Sequence, residues 1–161
     1  MNKDDPPDEV LLELGRLVWA AINLEGIVYL VCRSLQPRGG PYDKSNIGPR
    51  IDKARDDLLA RPDDELRARA DAWLAEAQAA LTDRNSVLHA TPGTFVRLDP
   101  GAPPQESDPY FLHLPNDKTR PSVNTPLSVD GLRPIRTRLE RAAIGWTELA
   151  SDLWEHRPAA T

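Results

Sequence analysis

DGLRPIRTRLERAAIGWTELASDLWEH, residues 130–156, carries the strongest helical pattern in the chain. Its apolar residues recur at alternating spacings of three and four, which places them on one face of an α-helix. That face consists of Leu132, Ile135, Leu139, Ala142, Trp146, Leu149 and Leu153. Because such a face must be buried against other elements, the rest of the chain is expected to supply helices that cover it.

Three more helices are predicted upstream of this segment. The first covers about residues 9–35, and the second covers about residues 46–61, where Ser45 or Asn46 can cap its start. The third follows Pro62 and three acids, and it must end near Thr91 because a proline and a glycine come next. The sequence therefore predicts an all-α fold, a four-helix bundle formed by one domain over residues 1–161.

A proline-rich segment separates the third and fourth predicted helices. Eight prolines between residues 92 and 126 exclude a helix there. The short apolar runs at 94–98 and 110–114 are expected to pair as a β-hairpin, with loop on either side. We therefore expect an insertion at about residues 92–127, either a loop or a hairpin.

The first predicted helix is apolar on almost every face. One bundle covers only one side of such a helix, so a second copy is the simplest cover for the other side and a homodimer is expected. A membrane span is not expected, because Asn23 and Glu25 interrupt the apolar run and the run is short. The charged start of the chain is not a signal peptide, which indicates a cytoplasmic protein. Trp19, Trp73 and Trp146 are all expected in the core.

Composition excludes several functional classes. The chain has 161 residues and a formal net charge of −5, which argues against a non-specific DNA-coating protein but not against an enzyme that binds a short RNA. Its single cysteine, Cys32, excludes an internal disulfide. The sequence contains no glycine-rich phosphate loop, no metal-ligand spacing and no serine-nucleophile elbow. No cofactor and no metal are therefore expected.

One polar group of residues stands out at the end of the third predicted helix: Arg84, Asn85 and His89. Relative to Arg84, Asn85 lies about 100° and His89 about 140° around the helix axis, so we expect the three to face one cleft. Arg84 also continues the inward face of the helix, where a permanent charge needs a partner or a function. Glu25 is the expected partner. A guanidinium can hold a phosphate, and an imidazole can exchange protons near neutral pH.

Structural interpretations of the same residues stay open. His89 could be an ordinary helix-end histidine, and Arg84 could simply bridge to Glu25. Arg133 and Arg136 are the candidates for binding substrate, as members of a basic stretch that also contains Arg138 and Arg141. That stretch supplies a local positive field for RNA, or it is a solvated helix face.

The Arg-Asn-x-x-x-His pattern, placed before the Pro92-Gly93 stop, resembles the motif of the HEPN family. The resemblance implies a helical bundle that dimerises and a composite site shared by two copies. Many members are metal-independent endoribonucleases of toxin–antitoxin, phage-defence and RNA-processing systems. By that resemblance Arg84 stabilises the scissile phosphate, His89 acts as general acid and base, and Asn85 supports both.

Two features depart from the family pattern. Members that act as toxins beside a nucleotidyltransferase antitoxin often have a tyrosine two residues after the histidine, where this chain has Thr91. The proline-rich insertion is also additional to a minimal HEPN core. RNA and an antitoxin or regulatory protein are the expected partners. The alternatives are a catalytically inactive dimer that binds RNA, a nucleotide or a protein, and a purely structural helical adaptor.

Overall fold

The protein is mostly helical: its described residues form four helices, with five short strands between the third and the fourth. The structure is a computed structural model that describes residues 6–35, 46–59, 64–93, 96–97, 101, 105–106, 109–113 and 123–155. The helices are α1 (Asp8–Leu35), α2 (Ile47–Leu59), α3 (Glu65–Leu88) and α4 (Val129–Glu155). The strands are β1 (Thr91–Gly93), β2 (Val96–Arg97), β3 (Gln105–Glu106), β4 (Tyr110–His113) and β5 (Val123–Pro126). The prediction of four helices at these places is confirmed.

The chain divides into two compact units. The first unit draws on residues 1–19 and 82–137, and the second draws on residues 20–81 and 138–161. Three helices contribute residues to both units: α1, α3 and α4. The expectation of a single domain stays a prediction.

Side-chain caps set the starts of two helices. The backbone N–H of Arg67 donates to Asp64 Oδ1 at 2.7 Å, which satisfies one of the donors left unpaired at the start of α3. Ser128 does the same at α4, where its Oγ accepts from the N–H of Gly131 at 3.1 Å. Both caps are short polar residues directly before the first helical turn, which is why sequence pattern locates these boundaries well.

The first turn of α4 lies against the end of β5. A side-chain carbon at Gly131 would overlap the carbonyl oxygen of Pro126. The close approach of the two backbones therefore requires glycine at this position.

The described residues of the first unit form two small antiparallel sheets. One has the order β1-β4-β5, and β2 pairs with β3 in the other. The prediction that residues 94–98 pair with residues 110–114 is wrong: Val96 pairs with Glu106, while Phe111 pairs with Pro92 and with Thr125. The prolines of the larger sheet, Pro92 and Pro126, are on its edge strands, where a missing N–H group leaves the sheet intact.

Each unit buries its own apolar side chains. In the first unit the buried residues include Val10, Leu17, Val87, Phe111 and Leu132. In the second unit, Trp73 donates its indole N–H to the carbonyl oxygen of Ala142 at 2.8 Å, and its ring centroid lies 5.3 Å from that of Trp146. The burial expected of Trp73 is confirmed, and Trp146 is half-buried.

Helix α1 has two apolar faces, and only one is covered. Leu17, Leu24 and Val28 are fully buried, whereas Trp19 is 74% exposed. The expectation that Trp19 belongs to the core is therefore wrong. The periodicity did not distinguish the two faces because both are apolar. Residues Asp8–Arg33 are long and apolar enough to span a membrane, judged by length and composition alone.

Candidate functional site

The candidate site lies where α3 ends in the first unit. The helix ends at Leu88, and the next residue, His89, still donates its backbone N–H to the carbonyl oxygen of Asn85 at 3.1 Å. Ala90 then donates to Val87 at 3.1 Å, which closes a tighter turn before β1 begins. The residue before a proline avoids the helical conformation, so Pro92 accounts for the stop.

Arg84 lies four residues before the helix end and is half-buried. It follows Ala77 and Ala80, both fully buried, at spacings of seven and four, so the guanidinium stem continues the inward face of α3. Its Nε atom is buried and makes no hydrogen bond to the residues that the structure describes, although the side chain takes part in another interaction. Burial of the stem restricts where the guanidinium can point.

His89 is exposed to solvent. It lies five residues beyond Arg84, which corresponds to about 7.5 Å along a helix axis and 140° around it. An exposed imidazole can exchange protons with water and with a bound ligand. The structural adaptor alternative required that His89 be buried with Arg84, and the exposure of His89 does not fit it.

Asn85 and Ser86 lie between these two residues and are half-buried. The Ser86 hydroxyl is bonded within its own helix, since it donates to the carbonyl oxygen of Asp83 at 2.5 Å. Glu25, the predicted partner of Arg84, is half-buried on α1. Its pairing with Arg84, and the cleft that Arg84, Asn85 and His89 were expected to share, stay predictions.

The arginines at the start of α4 are in two different situations. Arg136 donates its Nε–H to Glu13 Oε1 at 2.6 Å, and its side chain is 19% exposed. Arg133 donates to Asp130 at 3.1 Å, and both of these side chains are largely exposed. Arg136 therefore holds elements of the first unit together, while Arg133 is open to solvent. Substrate binding by either residue stays a prediction.

Sequence reasoning missed Glu13, a buried carboxylate of α1. Besides Arg136, it faces Arg16, whose NH1 atom is 3.7 Å from its second oxygen. The signal that could have found it is its spacing: Glu13 lies four residues before Leu17 and eleven before Leu24, on the apolar face that is buried. An acid on such a face predicts a basic partner.

In the part of the chain that the structure describes, no three His, Cys, Asp or Glu side chains are grouped closely enough to hold a metal ion. Comparisons with protein-family models, with curated protein sequences and with solved structures find no match to this chain.

Proposed function

We propose that this protein is a metal-independent endoribonuclease that cleaves single-stranded RNA with Arg84, Asn85 and His89. The observation that carries the proposal is the placement of a half-buried arginine and an exposed histidine five residues apart at one helix end. A further part of the proposal is that the four helices form a HEPN-like bundle with residues 92–127 as an insertion. The protein would act as a homodimer in the cytoplasm, with an antitoxin or regulatory protein as a further partner.

The proposed reaction is an internal transfer of the phosphodiester. The ribose 2′-hydroxyl oxygen attacks the adjacent phosphorus and forms a new P–O bond, while His89 accepts the hydroxyl proton. The bond from phosphorus to the 5′ oxygen breaks, and that oxygen takes a proton from the imidazolium of a second copy's His89. The products are a 2′,3′-cyclic phosphate and a 5′-hydroxyl, so the step consumes no water.

Arg84 has the complementary role of binding the phosphate. Its guanidinium is permanently charged and can donate two parallel hydrogen bonds to the non-bridging oxygens, where negative charge increases during attack. The buried stem supports this role because a guanidinium that is already oriented loses little conformational freedom on binding. Asn85 would donate to the same phosphate or orient the imidazole.

The test is cleavage of an end-labelled single-stranded RNA by the purified chain in excess EDTA. We expect products that end in a 2′,3′-cyclic phosphate, and no cleavage of the same sequence made with 2′-deoxyribose. Arg84→Ala should lower the rate by about 100-fold or more, the usual effect of losing one charge-stabilising donor. Arg69→Ala, on the same helix but paired with Asp152 at 2.6 Å, should leave the rate unchanged.

The second candidate is a catalytically inactive RNA-binding module. The net charge of −5 and the presence of Thr91 in place of a tyrosine favour it. It predicts that the wild-type chain binds RNA, loses affinity in Arg84→Ala, and yields no product in either form.

A further inference from the structure

The uncovered face of α1 forms a continuous apolar surface. Its five large residues are each about half exposed or more: Leu11 48%, Leu12 57%, Trp19 74%, Ile22 56% and Leu30 60%. At 100° per residue they all fall within about 100° of the helix circumference, and they extend over about 28 Å of its length. Contiguous apolar surface of this kind marks an interaction site, whereas isolated exposed residues do not.

Two glycines lie on the same face. Gly15 and Gly26 fall between the large residues, and a side-chain carbon built at either one would meet nothing within 4 Å. Small residues at these positions let the backbone of another helix approach closely.

Except at Leu12, whose counterpart Tyr29 is half-buried, the order of large and small residues on this face is the same in both directions. Taken from the midpoint between residues 20 and 21, Trp19 and Ile22 are equally distant, as are Gly15 and Gly26, and Leu11 and Leu30. A two-fold axis through that midpoint, perpendicular to the helix, therefore brings each member of a pair level with the other member in a second copy.

Charge at the two ends of the face follows the same symmetry. Asp8 and Arg33 are exposed, are equally distant from the midpoint and lie on the same side of the helix as the apolar residues. In an antiparallel pair of helices, Asp8 of each copy is level with Arg33 of the other. A parallel pair would instead place like charges level with each other, which is destabilising.

We propose that α1 is a self-association surface on which two copies pair antiparallel, with Gly15 against Gly26 and Asp8 against Arg33. The homodimer itself is part of the proposed function, on which this inference rests to that extent; what it adds is the surface and the orientation of the pairing, and its test involves no RNA cleavage. The symmetric order of large, small and charged residues is what selects a second copy of this chain as the occupant.

The experiment measures the mass of the full chain in solution by light scattering from 1 to 100 µM. The wild type should have twice the mass of the chain. Ile22→Glu should weaken the dimer by at least about 100-fold, because two unpaired charges enter the centre of the contact. Ile144→Glu is the matched control, since Ile144 is 66% exposed on α4, and it should leave the mass unchanged.

An exchange of the charges at the two ends of the face tests whether the two helices pair antiparallel. It also keeps the proposal testable if Ile22→Glu fails to fold. Arg33→Asp should weaken the dimer by about tenfold, and adding Asp8→Arg to the same chain should restore it. A monomeric wild type at 100 µM overturns the proposal, as does dissociation by Ile144→Glu alone or a double exchange that fails to restore the dimer. Co-sedimentation of a monomeric wild type with phosphatidylcholine–phosphatidylglycerol vesicles would assign the face to a membrane surface instead.

Discussion

Arg136 donates its Nε–H group to a carboxylate oxygen of Glu13 at 2.6 Å, and the Glu13 side chain is only 4% exposed. The two residues are 123 positions apart in the chain, so this pair joins the start of α4 to the first half of α1 within one unit. A buried ion pair offsets the loss of hydration only while both charges are present. Glu13 and Arg136 therefore act together on stability.

Removal of Glu13 alone should destabilise the fold. We expect Glu13→Leu to lower the free energy of unfolding by about 2–3 kcal/mol, slightly below the range for fully buried pairs because Arg136 keeps some contact with water. Urea unfolding followed by circular dichroism measures the change. Asp130→Ala, which breaks the exposed pair with Arg133, should cost less than about 1 kcal/mol. Equal effects of the two substitutions would contradict the burial that we describe.

Substitution by alanine at two glycines of α4 should change the stability of the protein in opposite directions. Gly131→Ala places a carbon in overlap with the Pro126 carbonyl oxygen and should lower stability by about 1–3 kcal/mol. Gly145→Ala places a carbon 3.6 Å from the Trp73 ring, an ordinary contact, and should raise stability by about 0.5–1 kcal/mol. Thermal unfolding of the two variants measures both signs, and stabilisation by Gly131→Ala would contradict the close approach.

Two carboxylates of the second unit should make stability fall in acid. Arg138 donates hydrogen bonds to Glu76 and lowers the pKa of that carboxyl, and Arg55 lowers the pKa of Asp71 in the same way. The pKa of Glu76 is lower in the folded protein than in the unfolded chain, where it is about 4.3. The ion pair of Glu76 with Arg138 therefore stabilises the fold at pH values above about 4.3. That contribution is lost as the pH falls through the folded pKa.

The side chain of Glu76 is 47% exposed, so the contribution of its ion pair to stability should stay below about 1 kcal/mol. We expect Glu76→Gln to be less stable than the wild type at pH 6 and equal to it near pH 2. Urea unfolding across this range measures the difference. A difference that grows as the pH falls would have the wrong sign for a lowered pKa.

Cys32 should be unreactive in the folded protein. Burial raises the pKa of its thiol to about 11, and the positive charge of Arg50 opposes this shift only in part. At pH 8 the native thiolate is scarce, so reaction with a disulfide reagent should be at least about 100-fold slower than in urea, where the pKa is about 8.5. Absorbance of the released thiolate reports both rates, and similar values would show that Cys32 is accessible.

Helix boundaries could be predicted from the sequence because their signals are local. Asp64 and Ser128 cap α3 and α4, and Pro92 ends α3, all within a few residues of the boundary. Strand pairing could not be predicted in the same way. The sequence predicted that Tyr110–His113 pairs with residues 94–98, whereas it pairs with β1 and β5. Both of these strands contain a proline, a residue that usually argues against a strand.

The candidate site was predictable as a motif but not as a set of contacts. The spacing of Arg84 and His89 is in the sequence, whereas the exposure of His89 depends on how the chain leaves α3. The pairing of Glu13 could not be predicted at all, because its partner, Arg136, is too distant in the chain for any local pattern to connect them. Long-range pairs of this kind are decided by tertiary packing.

The single-turnover rate of RNA cleavage in EDTA by His89→Ala tests the proposed ribonuclease function most directly. We expect the rate to fall by about 100- to 10,000-fold, the usual contribution of a general acid–base group, with unchanged helicity. His113→Ala, purified in parallel, should cleave at the wild-type rate, which would show that the loss in His89→Ala is specific to that histidine. Cleavage by His89→Ala at the wild-type rate would exclude His89 as the general acid–base group.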